Sequence, residues 1–479
     1  MSFAQIEFLY LMAVVWLVYW RLDHTAQNVL LLAAGAVFYG FIHPWFLIPL
    51  YASAGLDWWC ARRIVDDAPR RDRYLALSLT GNLGMLGWFK YAGWFVEQVN
   101  AALSLVGLGG LPALNIILPV GISFYTFQTM SYTLDVYRGK ILPRRSLLDL
   151  MVYVSFFPQL VAGPIERAGD LLPQVEGERS FSWEDQREGV ALAVWGLFKK
   201  VVLADTLAPW VDRIYALPDP SFALIWAGTL AFSVQLLADF SGYTDIARGT
   251  GRMLGFRLSE NFSWPYMAAT PVEAWRRFHR TLSTWLMDYV YMPLAHARWV
   301  RWIQIPGVPV GGRGHVARVT VLTFLISGLW HGAAWHFLLW GLYLGVLQVV
   351  YTEIERRLPK AWRKDARWRW LTVPVMYGWH LIAVMILRTP TLPEIAQHLS
   401  QPPWVLPQNE AMVAVGTFAL TLAVATPLVG MMLAEWYVLP ALSRSRWYLS
   451  LQTTGWTLQA CAVALMVQPT ETDFLYFHF

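Results

Sequence analysis

Two histidines and an arginine-rich segment carry the chemistry open to this chain. His331 and His336 stand in residues 322–341 (LTFLISGLWHGAAWHFLLWG), an apolar run long enough to cross a bilayer. An imidazole at that depth is costly, so it faces a bundle interior, a partner or water and marks a functional candidate. Ser327, Gly328, Gly332, Ala333 and Ala334 surround His331 with small side chains that let another group approach closely. The plainer alternative is a histidine hydrogen-bonded between packed helices. As a base, His331 has the right intrinsic pKa for proton transfer near neutrality, worth roughly 10²–10⁴-fold when positioned. Acyl transfer from a thioester to a hydroxyl asks for little more than a base, orientation and a donor for the oxyanion. Metal binding fits less well: His331 and His336 are five apart, which on one helix points them to different faces. There is no HExxH motif beside them and no GxSxG elbow for a serine nucleophile.

Residues 264–294 (WPYMAATPVEAWRRFHRTLSTWLMDYVYMPL) interleave Trp275, Phe278 and Trp285 with Arg276, Arg277, His279 and Arg280. An arginine- and tryptophan-rich amphipathic helix lies along a membrane surface. The alternative is a cationic gate beside a cavity, where guanidinium groups grip phosphate or carboxylate. Residues 118–138 concentrate Ser123, Tyr125, Thr126, Gln128, Ser131, Tyr132 and Asp135, which read as helix glue or a polar path. Residues 156–174 form a bend rich in Pro and Gly that carries Gln159, Glu166 and Arg167, with a local ion pair as its plain reading. Asp239 and Asp245 are expected to pair with Arg248 or Arg252. Lys199 and Lys200 interrupt an apolar run, either as snorkelling anchors or as contacts for a donor phosphate.

The elements that must position these groups are membrane helices. The 479 residues are 56% hydrophobic and 14% charged, against about 25% charged in soluble domains. The 27 Trp and 21 Tyr suit headgroup-level anchors. Cys60 and Cys461 give no disulfide framework and no metal-ligand spacing. Apolar segments recur along the whole chain, and the pattern predicts roughly ten to twelve membrane segments, the shorter ones re-entrant. The first of them, near the N-terminus, reads as a span rather than a removed signal peptide. Basic residues cluster at 62–73, 138–145 and 356–369. The positive-inside rule makes these linkers cytoplasmic and sets both termini outside. The organisation expected is one integral-membrane domain: N-terminal helices over 1–117, a core interrupted by Pro, Gly and charge over 118–350, and C-terminal helices over 351–479.

At this point the motifs resemble a known family. Residues 275–294 (WRRFHRTLSTWLMDYVYMPL) and 327–341 (SGLWHGAAWHFLLWG) look like the two signature segments of membrane-bound O-acyltransferases, closest to the branch of bacterial alginate O-acetylation proteins. Residues 118–139, 154–167, 239–256 and 474–479 (FLYFHF) resemble that branch as well. The pattern departs at Phe278, at Arg280 and at 295–302 (AHARWVRW). The resemblance implies an all-α polytopic bundle around a central funnel, with a catalytic histidine matching His331 and a second matching His279. Trp275, Arg276, Arg277, Ser327, Trp330 and Gly332 would line the cavity, and Lys199 and Lys200 are candidates for the donor phosphates. No cofactor or metal is implied; acetyl-CoA or another acyl thioester would be the donor. The implied setting is the bacterial inner membrane, with lipid, an exopolysaccharide synthesis machinery and a periplasmic SGNH-type acetyltransferase as partners and no nucleic acid. Two alternatives stay open: a teichoic-acid or protein acceptor, and a non-catalytic transporter of acyl groups.

Overall fold

The computed structural model describes residues 1–303, 312–359, 366–442 and 448–467. Residues 474–479 and part of the basic cluster at 356–369, both used above, lie outside the described residues. The described chain is helical and divides into two compact units.

The first unit comprises 1–193 and 243–259. It holds α1 (Ile6–Tyr19), α2 (His24–Gly40), α3 (Leu47–Asp66), α4 (Arg71–Leu86), α5 (Ala92–Leu105), α6 (Ile122–Tyr137), α7 (Leu147–Ser155) and α8 (Ala168–Glu176). The hydroxyl-rich segment becomes α6, which packs with α4 on α3. There Ser53, Asp57, Ser78, Asn82 and Thr129 satisfy one another in a buried network, so these residues act as helix glue. Glu166 is not left to a local pair with Arg167. Its carboxylate accepts from the Ser259 amide at 2.5 Å and hydroxyl at 2.9 Å. Asp245 pairs with Arg248 as expected, at 3.1 Å, whereas Arg252 turns to Asp185 and Glu188.

The second unit comprises 194–242 and 260–479. Helices α9 (Trp183–Leu197) and α11 (Phe222–Met253) contribute to both units, and α10 (Asp205–Tyr215) lies within the second. The arginine-rich segment is not one surface helix. It breaks into α12 (Pro271–Arg277), α13 (Arg280–Leu286), a π-helical turn (Met287–Tyr291) and α14 (Met292–His296). The 322–341 run is also broken: α15 (Gly312–His331) ends on the histidine, and α16 (Trp335–Arg357) starts four residues later. His331 and His336 therefore sit on two arms of a helical hairpin rather than on two faces of one helix. Helix α17 (Arg369–Arg388) packs on α16, and Gln408–Leu433 follows. Among the described residues, α11, α16, α17 and 408–442 are long and apolar enough to cross a membrane.

The small residues near His331 serve the hairpin itself. A Cβ on Gly328 would stand 2.2 Å from the Phe337 carbonyl oxygen, and one on Gly341 would stand 2.3 Å from that of Phe324. What approaches closely is the partner helix backbone.

Candidate active site

The site lies in the second unit and starts from how α12 begins. Thr270 caps the helix by accepting from the Glu273 amide, Glu273 reaches back to the Ala269 amide, and Pro271 stands in the first turn. Glu273 also holds Arg277 at 2.8 Å and Arg369, at the start of α17, at 3.0 Å. Burial raises the Glu273 carboxyl, but the Ala269 amide and then the Arg369 and Arg277 guanidinium groups outweigh it and leave it below the usual carboxylate range. Arg277 is thus a structural clamp.

Between α12 and α13 the chain turns sharply, and His279 takes left-handed backbone angles (φ 49°, ψ 53°). Non-glycine residues pay for that conformation, and it concentrates at functional sites. Asn261 pins the turn. Its Oδ1 accepts from the Thr281 amide at 3.2 Å and hydroxyl at 3.0 Å, and lies 3.2 Å from His279 Nδ1. The Thr281 amide can only donate, so the Asn261 atom facing it is oxygen. His279 Nδ1 therefore carries the proton and Nε2 the lone pair. His279 lies outside the spanning helices, and burial pushes its imidazole down to about 3, which keeps the ring neutral.

His331 ends α15 on the wall of the same cavity. That cavity, of about 100 Å³, is lined by His279, His331, Trp275, Phe278, Phe240, Leu282 and Trp340, with Leu236 and Leu344. The Trp330 ring contacts both histidines, 6.0 Å from the His279 ring and 5.0 Å from that of His331. Gly332 makes room for the Phe337 ring, which a Cβ there would strike at 1.9 Å. His336 gives its Nδ1 to the Pro390 carbonyl at 2.9 Å and belongs to the packing.

The cavity also takes His380, Ala383, Val384 and Leu387 from α17, beyond the 118–350 core expected from the sequence. Sequence reasoning missed His380 because no motif surrounds it. The available signal was a third imidazole in an apolar run.

A second cavity, of about 550 Å³, shares Trp275 with the first. Arg276, Arg280, Ser283, Thr284, Thr320, Thr323, Ser327 and Gln348 line it. Arg280 is paired with Glu260, whereas Arg276 has no carboxylate partner among the described residues. Ser327, 1% exposed, has no hydrogen-bond partner among them either.

Lys199 and Lys200 line neither cavity. Both sit in a buried π-helical turn (Phe198–Ala204). Lys200 meets Asp205 and Asp239 at 2.9 Å each, so Asp239 takes Lys200 rather than Arg248 or Arg252. Lys199 donates to Ser241 at 2.9 Å.

Two histidines in a small apolar chamber, beside a larger polar cavity with a guanidinium that has no carboxylate partner among the described residues, suit group transfer from an anionic carrier. Residues 140–389 match the model of the membrane-bound O-acyltransferase family. A probable alginate O-acetylase AlgI of Azotobacter vinelandii is 39% identical over 388 residues, covering 79% of this chain and 74% of that protein. The chain belongs to the membrane-bound O-acyltransferase family. As a membrane-bound O-acyltransferase it is an enzyme, and the 140–389 match ends one residue past the α17 helix that supplies His380. A peptidoglycan O-acetyltransferase of Helicobacter pylori is 32% identical, over 75% of this chain and 70% of that protein. A teichoic acid D-alanyltransferase of Bacillus subtilis is 28% identical, over 55% and 66%.

Proposed function

We propose that this enzyme passes acetyl groups from cytosolic acetyl-CoA across the inner membrane for O-acetylation of an alginate-like or other exopolysaccharide. The observation that carries the reading is the meeting of His331 and His279 on one small apolar cavity. His331 takes the proton of the acceptor hydroxyl as its oxygen attacks the thioester carbonyl carbon. The C–O bond forms, the C–S bond breaks, and the proton returns from His331 to the departing thiolate. His279, through the Nε2 lone pair, accepts from a neighbouring hydroxyl of the acceptor and so orients it. Arg276, on the wall of the larger cavity, is the better candidate for the donor's phosphates than Lys199 and Lys200, whose ammonium groups are engaged inside the protein.

The relatives named for acetyl transfer to polysaccharide match more of this chain than the one named for D-alanyl transfer to teichoic acid, which favours acetyl and a polysaccharide. A periplasmic SGNH-type acetyltransferase is the partner that would complete the transfer, with both termini of this chain on the periplasmic side. The test is acetyl-CoA turnover by purified enzyme with His331→Ala beside wild type. The variant is expected to lose roughly 10²–10⁴-fold; undiminished turnover would remove His331 from the chemistry.

A further inference from the structure

The histidine cavity needs one more group for acyl transfer, and the two histidines above do not supply it. As the acceptor oxygen adds to the thioester carbonyl, negative charge develops on the carbonyl oxygen, and a positioned donor there lowers the barrier. His279 cannot be that donor, because its Nδ1–H is committed to Asn261 and its Nε2 carries the lone pair. His331 is occupied as base.

His380 has the required properties. It lines the same cavity from α17. Its ring is held by aromatic neighbours, stacked on Tyr377 (6.2 Å, 21°) and set against Tyr266 at 4.9 Å. Those tyrosines are themselves anchored, Tyr377 to the Ser233 hydroxyl at 2.7 Å and Tyr266 to the Ser233 carbonyl at 2.5 Å. Yet His380 Nε2 is buried and has no hydrogen-bond partner among the described residues. A buried polar nitrogen left in that state is costly, and a bound polar group would offset the cost. A neutral imidazole always keeps one N–H, and a neutral histidine can polarise a carbonyl as an electrophile.

The geometry points to His380 as the oxyanion donor, its N–H aimed at the thioester carbonyl oxygen while His331 moves the proton. The assignment rests on the acyl-transfer reading above. The indole N–H groups of Trp275 and Trp340 are the other donors on the wall. Trp340, however, is set edge-on against His331 (4.7 Å, 76°) and Trp275 against Phe324 (4.7 Å, 68°), so both have packing roles that account for them.

The experiment compares acetyl-CoA turnover by wild type, His380→Phe, His380→Gln, Trp275→Phe and Trp340→Phe. Phenylalanine keeps the aromatic packing and removes the donor; glutamine restores an N–H. His380→Phe is expected to lose about 10²–10³-fold in kcat with KM for acetyl-CoA within about threefold of wild type, and His380→Gln to recover at least about tenfold of that loss. His380→Phe keeping pace with wild type overturns the assignment, as does a comparable kcat loss confined to either tryptophan variant. A wild type that turns over no acetyl-CoA overturns the donor reading and this assignment with it, and is told apart because no variant comparison is then involved.

Discussion

The His331 imidazole meets the Trp340 indole edge to face, with ring centroids 4.7 Å apart and planes at 76°. The last residue of α15 and a side chain on the second turn of α16 are thus locked together across the Gly332–Ala334 break. The hairpin places His331, and its tightness is set by glycines.

Gly328→Ala and Gly341→Ala are each expected to destabilise by about 1–3 kcal/mol, because the added methyl meets a partner backbone rather than a flexible side chain. Both should lower acyl transfer as His331 shifts. Gly378→Ala is the control: its Cβ meets nothing within 4 Å in mid-α17, and it should gain about 0.4–1 kcal/mol. Thermal unfolding in detergent, run beside an activity assay, checks all three.

His279 gives stability a pH slope. Its folded pKa is depressed by burial to about 3, against about 6.5 unfolded. Above pH 6.5 the ring is neutral in both states and its contribution is complete. Between 6.5 and 3 only the unfolded ring takes up a proton, so stability falls as the pH falls. Melting temperatures of wild type and His279→Asn between pH 4.5 and 7.5 test this. Asparagine tolerates left-handed backbone, so the variant should show a flatter acid slope without a broken turn. An equally steep slope in the variant would assign the effect to another group.

Lys200 is buried between two carboxylates. Lys200→Met removes the ammonium group that Asp205 and Asp239 share and should cost about 3–5 kcal/mol. Adding Asp239→Asn should restore part of that loss, which a double-mutant cycle on unfolding free energy would read as a coupling well above additivity.

Arg276 and Arg277 are neighbours with different expected phenotypes. Arg276→Gln should raise KM for acetyl-CoA by about 10–100-fold, in line with losing a charge-assisted hydrogen bond. It should leave KM unchanged for an acetyl thioester of pantetheine, which has no phosphate. Arg277→Gln should lower the melting temperature instead, since that side chain serves Glu273. Steady-state kinetics with both thioesters separates the two.

Much of this was legible in the residues. An imidazole in an apolar run made His331 a candidate, and the resemblance of residues 275–294 to a family signature segment added His279; the structure brings both to one cavity. The break after His331 was not legible. Gly-Ala-Ala is small and apolar, compatible with a continuing helix, and only the close contact of Gly328 with Phe337 and of Gly341 with Phe324 shows that the chain doubles back. The Lys200–Asp239 pair depends on the packing of two elements separated in the chain by α10, so charge adjacency along the chain pointed to Arg248 and Arg252 instead. The argument that singled out His331 applies to His380 as well, but His380 has no flanking motif and stands in a helix that reads as plain span, so it was passed over.

Trp275 is one ring serving as the wall of two rooms. On the proposed reading, the hydrated arm of a thioester donor would lie on one side of the indole and the histidines on the other, so that the donor would enter the smaller cavity by its acyl end. Water accompanying the phosphates would stay on the far side. The same ring would then also protect the acyl group from hydrolysis, and the fidelity of transfer would depend on how that indole sits.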